Sequence, residues 1–186
     1  MPSAAWFTLL VILVGCERMA ELVVARRNRR WALSQGGVEY GARHYPVLVA
    51  LHTGLLGGSL LEVWLRRPQQ SASPAWVILT WGILAWAMLA LMLMAQALRW
   101  WCIATLGTQW NTRLIVVPGH PRVRRGPYRW LRHPNYLAVV VEGVALPLVG
   151  SAWITAIAFT IANLAVLAVR IPAEERALTG SPPSDV

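Results

Sequence analysis

The chain has 186 residues, of which 56% are hydrophobic and 13% are charged. This composition is too apolar for an ordinary soluble domain, so it predicts an integral membrane protein. The formal net charge of +9 would suit nucleic acid, but the arginines flank apolar segments, and we therefore predict no nucleic-acid partner. Cys16 and Cys102 have neither metal-type nor paired spacing, which indicates no metal site and no disulfide framework.

Apolar segments along the chain predict an all-α membrane fold of about five transmembrane helices. Four of the segments are long enough to cross a bilayer, and the fourth in chain order is slightly short. Arginines are concentrated in the first and third connections, which predicts an outside N-terminus and a cytoplasmic C-terminus. The predicted spans cover residues 4–25, 46–65, 75–98, 134–149 and 152–170, and residues 179–186 are expected to form a disordered tail.

Charged side chains interrupt the first span at Glu17, Arg18 and Glu21. Charges inside a span are costly, so they face either a functional cavity or the membrane surface, and the sequence leaves both interpretations open. The loop at residues 31–45 contains glycines that do not form GxGxxG, and no strand precedes them. A Rossmann nucleotide site is therefore not supported, and we expect a connecting loop that carries Glu39 and His44 near the membrane surface.

Residues 107–133 form the one long polar segment. Within it, residues 114–117, the turn at residues 118–121 and residues 122–124 predict a short β-ribbon. The segment ends in Arg132-His133-Pro134 before the fourth span. Pro134 is suited to the first position of a helix because its missing N–H costs nothing there. The free N–H groups of such a helix start can bind a carboxylate or a phosphate.

The last span ends at Arg170, and Pro172 is expected to begin a separate interfacial helix that carries Glu174 and Glu175. The fourth and fifth spans form a hairpin, so this cluster and His133 should lie close together at the cytoplasmic surface. An arginine, two glutamates and a histidine beside a helix start suit a zwitterionic ligand, in which arginine holds a carboxylate and glutamate an ammonium.

These residues carry a resemblance to a known family. Residues 95–178 resemble the C-terminal half of the isoprenylcysteine carboxyl methyltransferases, which are polytopic membrane enzymes that use S-adenosylmethionine without a Rossmann fold. Residues 36–46 look like those of small bacterial members that methylate alkylpyrones and alkylresorcinols. The resemblance implies a bacterial plasma-membrane enzyme whose cofactor-binding residues are Tyr128, His133, Pro134, Asn135, Tyr136, Arg170, Glu174 and Glu175.

The resemblance implies methyl transfer to an oxygen atom of a lipophilic acceptor that enters from the lipid, while S-adenosylmethionine enters from the cytoplasm. A carboxylate acceptor needs no base, whereas a phenol or enol does, and Glu142 and His44 are the favoured candidates beside Glu39 and Glu62. Arg170 can orient or stabilise an oxyanion. Two alternatives from other classes are an NADPH-dependent reductase of the membrane sterol type and a non-catalytic membrane scaffold.

Overall fold

The computed structural model describes residues 4–41, 44–66, 75–120 and 122–178, without the side chains of residues 44 and 75–78. Five long helices dominate this part of the chain and confirm the predicted all-α architecture. The predicted tail at residues 179–186 lies outside the described residues. The elements are α1 (Ala4–Ser34), β1 (Val38–Tyr40), α2 (His44–Arg66), α3 (Ala75–Leu106), β2 (Leu114–Val116), α4 (Pro134–Val149) and α5 (Trp153–Leu178).

Three of the described helices are long and apolar enough to cross a membrane, namely those at Tyr45–Arg66, Leu79–Gln109 and Trp153–Leu178. Helix α4 is apolar but shorter, as the sequence predicts. Helix α1 carries three charged residues in its apolar half, at positions 17, 18 and 21. Many large apolar side chains on the outer faces of these helices are exposed, which suits contact with lipid.

Helix α1 extends nine residues beyond the span that was predicted to end at residue 25. Arginine is a good helix former, so the basic run continues the helix beyond the predicted span. The end comes at a pair of glycines: the Gly37 N–H donates to the Ala32 carbonyl at 2.9 Å and the Gly36 N–H donates to the Leu33 carbonyl at 3.1 Å. Gly36 has a φ of 76°, which glycine adopts without strain.

Helix α5 is continuous from Trp153 to Leu178, so the expectation that Pro172 begins a new helix was wrong. Proline removes one hydrogen bond of the helix ladder, but the helix continues because its last turns make side-chain contacts with the start of α4. As a result, residues 170 and 174 lie one turn apart on the same face of one helix.

The predicted β-ribbon was wrong in its pairing. Strand β2 pairs antiparallel with β1, with Glu39 opposite Ile115, whereas the described residues 122–124 form no strand. The turn after β2 is present, since the His120 N–H donates to the Val117 carbonyl at 3.3 Å. Glu39 fixes the pairing through Arg113, whose Nη1 lies 2.6 Å from the carboxylate. The loop expected at residues 31–45 therefore contains a strand that joins the two halves of the chain.

The helices pack closely around α4. A methyl group at Gly143 would lie 2.1 Å from a ring carbon of Phe159, so only glycine permits this approach of α4 to α5. Glu62 of α2 accepts hydrogen bonds from the backbone N–H groups of Ile154 and Thr155 at 3.0 and 2.8 Å. It thereby caps the start of α5 from a different helix. Because α4 and α5 pack side by side as a hairpin, the α4 start and the α5 end lie at the same end of the bundle.

Candidate functional site

A cavity of about 170 Å³ lies at the end of the bundle where α4 begins and α5 ends. Its walls come from the ends of α1 and α3, from β2 and its flanking loops, and from the two ends of α4 and α5 that face each other. The cavity therefore uses segments from both halves of the chain. Among the predicted site residues, those that line it are Tyr128, His133, Asn135, Tyr136, Arg170 and Glu174.

Tyr136 links the two charged residues of α5. The Arg170 Nε donates to the Tyr136 hydroxyl at 2.9 Å, and this hydroxyl donates to the Glu174 carboxylate. The Arg170 Nη2 also donates to the Thr112 carbonyl at 2.7 Å. Arginine and glutamate are thus held side by side at the cavity wall, which is the arrangement that a ligand with a carboxylate and an ammonium requires.

His133 precedes α4 and contacts both glutamates. Its Nε2 lies 2.9 Å from a Glu175 oxygen, its Nδ1 lies 3.7 Å from a Glu174 oxygen, and its ring stacks on Tyr136 with centroids 5.6 Å apart. Hydrogen bonding to Glu174 raises the pKa of His133 above its usual range, burial opposes this, and Glu175 adds to the rise. The protonated imidazole is therefore favoured at the cavity wall.

Three buried polar atoms of the cavity wall have no hydrogen-bond partner among the described residues: Trp110 Nε1, Asn111 Nδ2 and Asn135 Oδ1. Buried polar groups are normally paired, so these two donors and one acceptor indicate a ligand or water that completes them. They suit the polar edge of a nucleobase, while Arg170 and Glu174 suit a zwitterion. The residues present therefore fit a nucleoside linked to an amino acid.

The cavity is smaller than the 300–1,000 Å³ or so of a typical ligand site. A ligand with both a nucleoside and an amino-acid end thus requires the walls to move apart on binding. Tyr128 belongs to the wall, and its hydroxyl interacts with the Cys102 thiol. Burial raises the pKa of the Tyr128 hydroxyl far above its usual range, so this group stays a neutral hydrogen-bonding group.

Some predicted residues lie away from the cavity. Glu142 faces a buried network in which Arg99 Nη2 donates to its carboxylate at 2.7 Å, six residues after Tyr136 on α4. His44 begins α2, and its side chain lies outside the described part of the chain. Pro134 begins α4 as expected, and Glu175 binds His133 without lining the cavity. The catalytic roles of Glu142 and His44 stay predictions.

Other carboxylates named as candidate bases are engaged in structural contacts. Glu39 pairs with Arg113 and lies 3.3 Å from Arg29, while Glu62 caps α5 and lies 3.0 Å from Arg66. Sequence reasoning missed the contributions of Trp110 and Asn111 to the cavity wall, and the hydrogen bond by which the Thr112 carbonyl holds Arg170. The only signal for them was their position in the polar segment directly after the third span.

Comparison with known proteins identifies a family and two relatives. A model of the "Isoprenylcysteine carboxyl methyltransferase (ICMT) family" matches residues 88–180. The chain is 37% identical over 172 residues to the "Uncharacterized protein YpbQ" of Bacillus subtilis (strain 168), covering 92% of this chain and 96% of that protein. It is 26% identical over 163 residues to an "Uncharacterized protein" of Haemophilus influenzae, covering 87% and 88%. No solved structure matches the chain.

Proposed function

Since the chain belongs to the isoprenylcysteine carboxyl methyltransferase family of membrane methyltransferases, we propose that it transfers a methyl group from S-adenosylmethionine to an oxygen atom of a lipophilic acceptor. The acceptor class includes phenolic or pyrone lipids and carboxylates of the isoprenylcysteine type. The reaction takes place at the cytoplasmic surface of the membrane, where the acceptor arrives from the bilayer and the cofactor from water.

The observation that carries the proposal is the wall of the cavity. It combines an arginine and a glutamate linked by one tyrosine hydroxyl with three buried polar atoms that lack a partner among the described residues. The methionine end of the cofactor carries one carboxylate and one ammonium. Arg170 is suited to the first and Glu174 to the second, while the unpartnered donors and acceptor suit adenine and ribose.

When bound, the cofactor supplies an electrophilic methyl group on a sulfonium sulfur. The chain's own residues bind and orient it: Arg170 and Glu174 fix one end, and Asn111 and Asn135 fix the other. His133 holds Glu174 and Glu175 in place through contacts that its protonated form strengthens. Bringing the reacting atoms into contact supplies much of the rate enhancement in such a transfer.

The proposed orientation has the N-terminus outside and the C-terminus in the cytoplasm of a bacterial plasma membrane. It is supported by the arginines of the α1 end and of the segment between α3 and α4, which lie at the same end of the bundle as the cavity. This end therefore faces the compartment that supplies S-adenosylmethionine.

Ligand-dependent thermal stability of the detergent-purified protein tests the proposal. A ligand that binds the folded state raises the melting temperature through linkage. S-adenosylmethionine and S-adenosylhomocysteine should raise it, whereas NADPH should not. Arg170→Ala and the double substitution Glu174→Gln/Glu175→Gln should abolish the increase, while Arg66→Ala, at the opposite end of the bundle, should retain it. Stabilisation by NADPH alone would assign the cavity to a reductase instead.

A further inference from the structure

Asn28 of α1 is hydrogen-bonded to the turn that follows α3. Its side chain is buried, with 5% of the residue exposed, and Nδ2 donates to the Gly107 carbonyl at 2.9 Å and to the Trp110 carbonyl at 2.7 Å. These two carbonyls lie at the two ends of a single turn, residues 107–110, which leads from α3 into the polar segment. One amide group therefore ties both ends of turn 107–110 to α1.

Turn 107–110 and the residue after it form part of the cavity wall. Trp110 and Asn111 both line the cavity, and Trp110 Nε1 and Asn111 Nδ2 have no hydrogen-bond partner among the described residues. These two donors are among the groups proposed above to hold the nucleoside end of the cofactor. Because neither donor is fixed by a hydrogen bond of its own, its position depends on the backbone of the turn.

Apolar packing joins the same face of α1 to the turn. Ala25, Ile103 and Trp110 form a buried cluster. Ala25, Asn28 and Ala32 are all buried, and their spacing places them on one face of α1. Ala32 itself lines the cavity. This face of α1 therefore runs along the cavity wall, and the small residues on either side of Asn28 permit the close approach.

The hydrogen bonds of Asn28 require an amide. Both of its partners are carbonyl oxygens, so the side chain must supply two donor hydrogens, as an uncharged amide NH₂ does. Aspartate has the same size but would place acceptor oxygens against two carbonyls. Leucine has a similar shape and no donor. The Gly107 carbonyl also accepts from the Trp110 N–H at 3.2 Å, so Asn28 reinforces the bond that closes the turn.

We propose that Asn28 is a positioning residue for the nucleoside end of the cofactor. It does not line the cavity, but it holds turn 107–110 so that the Trp110 and Asn111 donors stay in the cavity wall. The inference rests on the proposed function in taking S-adenosylmethionine as the ligand. It gives the first half of the chain a part in cofactor binding, whereas the residues proposed to contact the cofactor come from the second half.

Two ligands separate the two ends of the site. S-adenosylhomocysteine has a nucleoside end and an amino-acid end, whereas methylthioadenosine has the nucleoside end without the amino acid. Calorimetric titration of the detergent-purified protein measures the affinity for each ligand, and the ratio of the two affinities reports the contribution of the amino-acid end. Arg170→Ala should lower this ratio toward one and leave the affinity for methylthioadenosine unchanged.

Asn28→Leu should give the opposite result. The affinity for both ligands should fall by about threefold to tenfold, as the loss of one hydrogen bond to the nucleoside does, while the ratio keeps its wild-type value. Asn28→Asp keeps the size of the side chain and decides the question if Asn28→Leu does not fold. Arg27→Ala, at the exposed neighbouring position, is the matched control and should bind both ligands as the wild type does.

The ratio distinguishes positioning from a general structural role. A loosening of the whole bundle would weaken the contacts of Arg170 and Glu174 as well, so it would lower the ratio together with both affinities. A lowered ratio in the folded Asn28 variants would therefore overturn the proposal. Unchanged affinities for both ligands would overturn it as well.

Hydrogen exchange without ligand keeps this inference separate from the proposed function. Asn28→Leu should speed exchange in peptides that cover residues 107–112 and leave residues 170–178 unchanged. If the wild type binds neither ligand, the methyltransferase proposal is refuted, and the exchange rates then decide whether Asn28 holds the cavity wall. Wild-type binding of both ligands, with exchange and affinities unaffected by Asn28→Leu, would refute the role of Asn28 alone.

Discussion

Arg170 Nε donates a hydrogen bond to the Tyr136 hydroxyl at 2.9 Å, and the same hydroxyl donates to Glu174. Tyr136→Phe removes the hydroxyl group that hydrogen-bonds both Arg170 and Glu174. We therefore expect the free energy of unfolding to fall by about 1–3 kcal/mol. Stabilisation by S-adenosylhomocysteine should fall with it. Tyr45→Phe is the matched control, since the Arg113 guanidinium lies 4.3 Å from the ring centroid and the ring is kept. Equal effects of the two substitutions would contradict this role.

The Arg99–Glu142 pair is nearly inaccessible to solvent, with side-chain exposures of 5% and 2%. Removing one partner leaves a buried charge without its closest counter-ion, so Arg99→Met and Glu142→Leu should each lower unfolding free energy by about 3–5 kcal/mol. The double substitution should cost clearly less than the sum of the two. A double-mutant cycle on reversible unfolding in mixed micelles measures the difference. Strictly additive losses would mean that the two side chains act independently.

The raised pKa of His133 predicts a dependence of stability on pH. The contribution of its pairing with Glu174 and Glu175 is fully present below the ordinary histidine pKa of 6.5. Above pH 6.5, His133 loses its proton in the unfolded chain before it does so in the folded protein. The free energy of unfolding therefore falls until the pH passes the raised folded-state pKa of His133. The difference in melting temperature between the wild type and His133→Asn should shrink over this window. A difference that stays constant from about pH 5 to about pH 9 would exclude the linkage.

Glu62 and Arg66 offer a comparison within one helix. Glu62 accepts three hydrogen bonds at the start of α5, including one from the Thr155 hydroxyl at 2.8 Å, so Glu62→Ala should cost about 1–2 kcal/mol, as the loss of a helix cap does. Arg66 is 37% exposed, and its ion pair with Glu62 should contribute about 0–1 kcal/mol. Thermal unfolding of both alanine variants measures the two losses. A larger loss for Arg66→Ala would contradict the capping role.

Local signals predicted the elements that depend on local chemistry. The start of α4 at Pro134 agrees with the sequence because proline is favoured in a first helical turn and cannot sit deeper without cost. The expected break in α5 at Pro172 was wrong for the opposite reason. Tertiary contacts of Arg170 and Glu174 keep α5 helical through Pro172.

Contacts between residues distant in the chain could not be predicted from one sequence. Strand β1 has only three residues and pairs with β2. Ile115, the partner of Glu39, lies 76 positions further along the chain. Arg99 and Glu142 are 43 positions apart, and no pattern joins them. The cluster around His133 could be predicted because the short link between α4 and α5 brings their far ends together.

The pairing of β1 with β2 has a consequence for the order of assembly. Residues 114–116 line one wall of the cavity and pair with residues 38–40, and the opposite wall needs the last turns of α5. Contacts of such sequence separation form late, because the entropy of closing long loops must be overcome first. A nascent chain therefore has no complete cavity until Leu178 has left the ribosome. Binding of the proposed cofactor would thus report that insertion of the whole helix bundle is finished.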